Sequence, residues 1–102
     1  MVTQEQLDRI VQVIKRVSNP QALYLFGSYA SGTATTDSDL DIAVVKTDIN
    51  DQYQDAFHIR KELFGSGVAM DLLFIDEKNY DKRHSIIGTV QFEIANKGKR
   101  LL

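Results

Sequence analysis

Three short apolar runs, set among segments of helical periodicity, constrain this chain more than anything else in it. They are Ala22 to Phe26, Leu40 to Val45 and Val68 to Ile75. Each is too short for an ordinary helix and is bounded by turn-forming or polar residues, so each predicts a strand. Before, between and after them, apolar residues recur three and four apart. Leu7, Ile10, Val11, Ile14 and Val17 make one stripe over residues 3–17. Thr3 is placed to cap that helix, with Gln6 closing a capping box, and Ser18-Asn19-Pro20 ends it.

Residues 51–64 predict a second helix, with Tyr53, Ala56, Phe57, Leu63 and Phe64 facing inward and Gly65-Ser66-Gly67 breaking it. Residues 76–83 predict a turn or short helix. Residues 84–96 predict a last helix carrying Ile86, Ile87, Val90, Ile94 and Ala95, with Gly98 as its C-cap. The order α-β-α-β-α-β-α implies an α/β fold, a small mixed β-sheet flanked by helices. At 102 residues the chain has material for one core, so a single domain over residues 1–102 is expected.

Composition narrows the function classes. There are no cysteines, which excludes disulfide scaffolds, zinc–thiolate sites and cysteine nucleophiles. The net charge of −2 argues against a nucleic-acid template as the main partner. No apolar run approaches the roughly 18 residues of a membrane span, and the first residues are charged and periodic, unlike a signal peptide. A soluble, cytoplasmic protein is expected.

Acids stand where strands are usually apolar. Asp39 and Asp41 open the second strand in SDLDIAVV. Side chains two apart share one face of a strand, so these carboxylates can converge while Leu40 and Ile42 point into the core. Asp71 interrupts an apolar strand, where an ionised carboxylate is costly unless paired or bound to metal. Each feature alone also fits a bland role. Asp37, Ser38 and Asp39 suit a turn, Asp41 a solvent-facing edge position, and Asp71 a half-exposed strand. Together they suggest one acidic site whose repulsion a divalent cation relieves, and an all-oxygen ligand set suits Mg²⁺ or Mn²⁺.

The first strand ends in Phe26-Gly27-Ser28. Glycine lets a phosphate approach the backbone closely, and a hydroxyl donates to its oxygens. A Gly-Ser turn alone is a weak signal. Joined to an Asp-x-Asp pair after ten residues, with a strand on each side, its chance occurrence is on the order of one in a thousand at average residue usage.

These residues give the chain its family likeness. GSYASGTATTDSDLDIAVV followed by MDLLFI resembles the minimal nucleotidyltransferase (MNT) domain of the DNA polymerase-β superfamily, over roughly residues 5–100. The resemblance implies that Gly27 and Ser28 bind the triphosphate of ATP. It implies that Asp39, Asp41 and Asp71 are the catalytic acids and hold two Mg²⁺ ions, with Asp71 helping to activate the acceptor hydroxyl. The loop departs from the pattern of many members, which carry arginine where Tyr29 and Ser31 stand. Lys46, Arg60 and Lys61 are the candidates to replace that charge, although such residues ordinarily lie on solvated surface.

Two functions follow. One is a nucleotidyltransferase that moves an NMP, AMP from ATP, onto a hydroxyl of a partner protein. The other is a binding module that neutralises a helical partner with little or no catalysis. The resemblance joins them, because minimal nucleotidyltransferases pair with helical HEPN-domain proteins as antitoxins of toxin–antitoxin systems. Ile86 and Ile87, or Val13 and Val17, are the candidate contacts. His58 and His84 suit surface or packing roles, and Lys97, Lys99 and Arg100 a solvated helix end.

Overall fold

The computed structural model describes residues 1–102. Helix α1 (Gln4–Ser18) begins at Thr3, whose hydroxyl accepts from Gln6 N while the Gln6 side chain accepts from Thr3 N. It ends at Asn19, which adopts the left-handed conformation (φ 45°) and donates its N–H to Lys15 O. Asparagine tolerates that conformation better than most residues, and Pro20 prevents the helix from continuing.

The chain then forms β1 (Ala22–Phe26), a single-turn α2 (Ser28–Ser31), β2 (Leu40–Lys46), α3 (Gln52–Glu62) and β3 (Met70–Asp76). Helices α4 (Glu77–Arg83) and α5 (Val90–Lys97) follow, with a two-residue β4 (Lys99–Arg100). The sheet order is β3-β2-β1-β4. Strand β1 runs antiparallel to β2 and to β4, whereas β2 and β3 are parallel. The expected mixed sheet is therefore present. No helix is long and apolar enough to cross a membrane.

Both sheet faces are covered, which explains why β2 is apolar on consecutive residues. On one face Leu23, Leu25, Leu40, Ile42 and Val44 pack against Ile10, Val13 and Ile14 of α1 and Ile59 of α3. On the other, Ala22, Ala43, Val45 and Ile75 pack around Ile94 of α5, with Tyr24, Phe26, Leu73 and Tyr80 at the margin. Tyr24 stacks on Tyr80 (centroids 5.6 Å apart), Tyr80 on His84 (5.8 Å), and the Arg100 guanidinium sits over Tyr24 (5.9 Å). Burial, then the neighbouring Tyr24 hydroxyl, pushes the Tyr80 phenol up to about 12.

Four expectations are corrected. Helix α3 does not turn its aromatics inward: Tyr53, Phe57 and Phe64 are exposed, at 83%, 61% and 90%. Its buried side carries Asp55, Ile59 and Leu63. The cause is electrostatic as well as apolar. Asp55 accepts from Lys46 Nζ at 2.6 Å and from Ser18 Oγ at 3.1 Å, which ties α3 to β2 and to the end of α1. Helix α5 starts at Val90, not at residue 84. Gly88 takes φ +92°, and Thr89 then caps the new helix by accepting from Phe92 N. Ile86 and Ile87 are thereby left exposed in the turn. Val13 is core, 5% exposed, so it offers nothing to a partner. Of the basic tail, Lys97 does end helix α5, but Lys99 and Arg100 form an edge strand beside Leu25 and Tyr24.

Candidate active site

Register brings the predicted residues to one corner of the sheet. Asp41 is the direct partner of Phe26 on one side and of Asp71 on the other. Adjacent strands lie about 4.8 Å apart, so the two carboxylates start from neighbouring backbone positions. Alternation puts both on the face that carries Ala43, Val45, Leu73 and Ile75. Asp39 lies two residues before Asp41, just ahead of the strand.

Gly27 follows Phe26 at the same corner. Its backbone takes φ 71° and ψ −151°, a region open almost only to glycine. A Cβ there would collide with Asp41 Oδ2. Glycine is therefore required twice over, by the turn and by the close approach of the Asp41 carboxylate. The chain continues into α2, where Ala30 N and Ser31 N donate to Gly27 O at 3.1 Å. Ser28 and Asp41 are half-buried, and Asp39 is exposed.

Asp71 is exposed too, which corrects the expectation of a buried acid on an apolar strand. Strand β3 is an edge strand, and Asp71 stands exposed between buried Met70 and half-buried Leu72. Asp41 carries the electrostatic strain instead. Burial first, then the facing charges of Asp71 and Asp39, hold its carboxyl above the ordinary 3.8, with Glu93 of α5 adding to the effect. Glu93 was not foreseen. It becomes a neighbour only because α5 folds back across the sheet, and nothing local in the sequence signals that.

The donor set fits a hard divalent cation in its chemistry: oxygen ligands only, of like charge, around a carboxylate whose pKa is raised by burial and by the facing acids. The side chains do not form a closed cage as they stand, since no group of three or more His, Asp or Glu is gathered closely enough to hold an ion. The cation candidates separate clearly. Lys46 is committed to Asp55 at the far end of β2. Lys61 is exposed beside Phe57 and Phe64. Arg60 donates from Nη1 to Met70 O at 3.1 Å, the residue before Asp71.

A family model described as Polymerase beta, Nucleotidyltransferase matches residues 8–102. The chain belongs to the polymerase beta nucleotidyltransferase family. Solved structures share its fold. A mutant of the MntA-HpeT toxin–antitoxin complex superposes with a TM-score of 0.66 at 23% identity, covering 93% of this chain and 71% of that one. A toxin–antitoxin complex with AMP-PNP gives 0.65 at 26% identity, covering 93% and 72%. No curated protein matches by sequence. Within this family the corner formed by Gly27, Ser28, Asp39, Asp41 and Asp71 is the candidate active site.

Proposed function

We propose that this chain acts as one Mg²⁺-dependent nucleotidyltransferase domain that moves AMP from ATP to a hydroxyl of a partner protein, as the antitoxin of a HEPN/MNT-type toxin–antitoxin pair in the cytoplasm. The observation that carries the reading is the pairing of Asp41 with Asp71 across one register position, with Gly27 pressed against Asp41. A glycine conserves space there for a carboxylate, which a purely structural turn has no reason to do. The toxin–antitoxin complexes that share the fold, one of them with AMP-PNP, support both the partner and the nucleotide.

The reaction is an in-line displacement. The acceptor hydroxyl oxygen attacks the α-phosphorus, the bond from that phosphorus to the bridging oxygen breaks, and pyrophosphate leaves. The hydroxyl proton passes to a carboxylate, the role proposed for Asp71, which is exposed at the sheet edge. Gly27 and Ser28 hold the phosphate chain, the first by close backbone approach and the second by its hydroxyl. Asp39, Asp41 and Asp71 would hold two Mg²⁺ ions, which lower the pKa of the attacking hydroxyl and steady the leaving group's charge. Alignment and electrostatics supply most of the rate.

A second reading, a binding module that neutralises its partner without chemistry, is favoured by one observation. Large apolar side chains are left uncovered in two places, Tyr53 and Phe57 on α3 with Phe64 just after it, and Ile86 and Ile87 before α5. Purifying the chain with its native partner, adding Mg²⁺ and labelled ATP, and weighing both proteins separates the two. An added AMP on the partner, lost with Asp41→Asn, supports the transferase. A stable complex of unchanged mass, indifferent to that substitution, supports the binding module.

A further inference from the structure

Helix α3 turns a patterned face to solvent. Tyr53, Phe57, Arg60 and Phe64 follow one another at intervals of four, three and four residues. That alternation has the 3.5-residue period of the seam along which one helix packs on another. Tyr53, Phe57 and Phe64 are all exposed, although Phe64 stands just past the helix end at Glu62. Phe57, Arg60, Lys61 and Phe64 line one open hollow of about 410 Å³, so the pattern in the sequence is a single face in space. Exposed apolar patches rimmed by polar groups mark protein–protein contact sites.

The charges on that face decide what covers it. Arg60 and Lys61 are exposed and form no ion pair within the chain. One Arg60 nitrogen donates to Met70 O, which anchors the guanidinium beside Phe64. The acids of the same segment are placed elsewhere. Asp51 precedes the helix, Asp55 is buried against Lys46, and Glu62 pairs with Arg16 of α1. A second copy would bring the same two cations and no acid, and four like charges would meet in one small contact. A single-stranded nucleic acid needs a basic groove that follows its backbone. Two adjacent cations, in a chain of net charge −2, do not make one. The spacing fits a helix, and the charge requires acids on it.

We infer that this face of α3 docks a helix of the partner protein, one that sets apolar residues at four-and-three spacing against Tyr53, Phe57 and Phe64 and acidic residues against Arg60 and Lys61. The inference rests on the protein partner proposed above and gives that partner its docking chemistry. Ile59 and Leu63 pack α3 on the α1 side of the sheet. Asp41 and Asp71 lie on the other face, with Ala43 and Val45. Docking and nucleotide binding therefore use different parts of the surface, and the first can be weakened without the second.

The test is calorimetric titration of the co-purified partner, separated and added back, at low and at high salt. The unmodified chain is compared with Phe57→Ser, Lys61→Glu and Ile87→Ser. All three change exposed side chains, and thermal melting confirms that each variant is folded. Phe57→Ser is expected to weaken the complex about tenfold or more at both salt concentrations. Lys61→Glu is expected to weaken it by a similar factor at low salt and by much less at high salt, because exposed charge pairs are screened. Ile87→Ser is expected to leave it unchanged, and all three variants to bind Mg-ATP as the unmodified chain does. Partner binding that is indifferent to Phe57→Ser or to Lys61→Glu overturns the inference alone, as does a loss confined to Ile87→Ser. Self-association of the unmodified chain in sedimentation, abolished by Phe57→Ser, overturns it by assigning the face to a second copy. An oligouridylate that competes with the partner and is lost with Phe57→Ser overturns it by assigning the face to nucleic acid. If no protein co-purifies with the unmodified chain, the proposed partner itself falls and the inference with it.

Discussion

At Asp41, burial and two facing carboxylates raise the pKa above the ordinary 3.8. The sign of the consequence follows from linkage. An acid with a raised folded pKa binds its proton more tightly in the folded state, so its contribution to stability is present below the unfolded pKa and lost as pH rises through the folded one. Asp41→Asn removes the penalty. In the absence of Mg²⁺ it is expected to match the unmodified protein below pH 3.8 and to melt higher at neutral pH. Added Mg²⁺ is expected to raise the melting temperature of the unmodified protein and leave Asp41→Asn unchanged, because only a bound ion stabilises by mass action. Melting curves across pH, with and without Mg²⁺, check both. Gly27→Ala strains a backbone at φ 71° and drives a methyl into Asp41 Oδ2. A loss of about 1–3 kcal/mol in urea unfolding is expected, together with loss of ATP binding. A variant as stable and as competent as the unmodified protein would remove the close packing of glycine and carboxylate from the mechanism.

Among the elements, α3 and α5 show where local pattern stops being informative. Helix α1 and strand β1 were legible because their signals are local: a capping box, one apolar stripe, a run bounded by proline and glycine. Helix α3 was legible as a helix but not in its orientation. Aromatics at helical spacing look like a buried stripe, yet its short inward side is set by Ile59, Leu63 and a buried ion pair, and the aromatics are left outside. That Lys46–Asp55 pair spans nine residues and two elements, so no window of sequence reveals it. Lys46 and Asp55 side chains are only 15% and 13% exposed. Asp55→Ala leaves the Lys46 ammonium with less compensation and frees Ser18, and a cost of about 3 kcal/mol is expected by chemical denaturation. Lys46→Met with Asp55→Leu is expected to recover most of it. A single variant as stable as the parent would show that apolar packing alone orients α3. The start of α5 was missed for a simpler reason. Gly88-Thr89 is a turn and cap written inside an apolar periodicity that runs straight through it.

For the molecule as a whole, the acids were legible and their setting was not. Period-2 spacing and an acid inside an apolar run pointed to Asp39, Asp41 and Asp71. Register then made Asp41 and Asp71 neighbours, but the exposure of Asp71 and the approach of Glu93 arise only from packing. The uncovered apolar groups belong to this scale as well. Phe64→Ser and Ile87→Ser each remove an exposed side chain without touching the core, so melting is expected to shift by about 0.5 kcal/mol or less. If either surface docks the partner, the matching variant weakens the complex by about tenfold or more in a pull-down titration. The transfer of AMP is the central claim, and intact mass after incubation with Mg²⁺, ATP and the co-purified partner tests it most directly. The expected result is a partner heavier by one or more AMP groups, with pyrophosphate released and neither change seen with Asp41→Asn. A partner of unchanged mass, in a complex that forms equally well with Asp41→Asn, would contradict it.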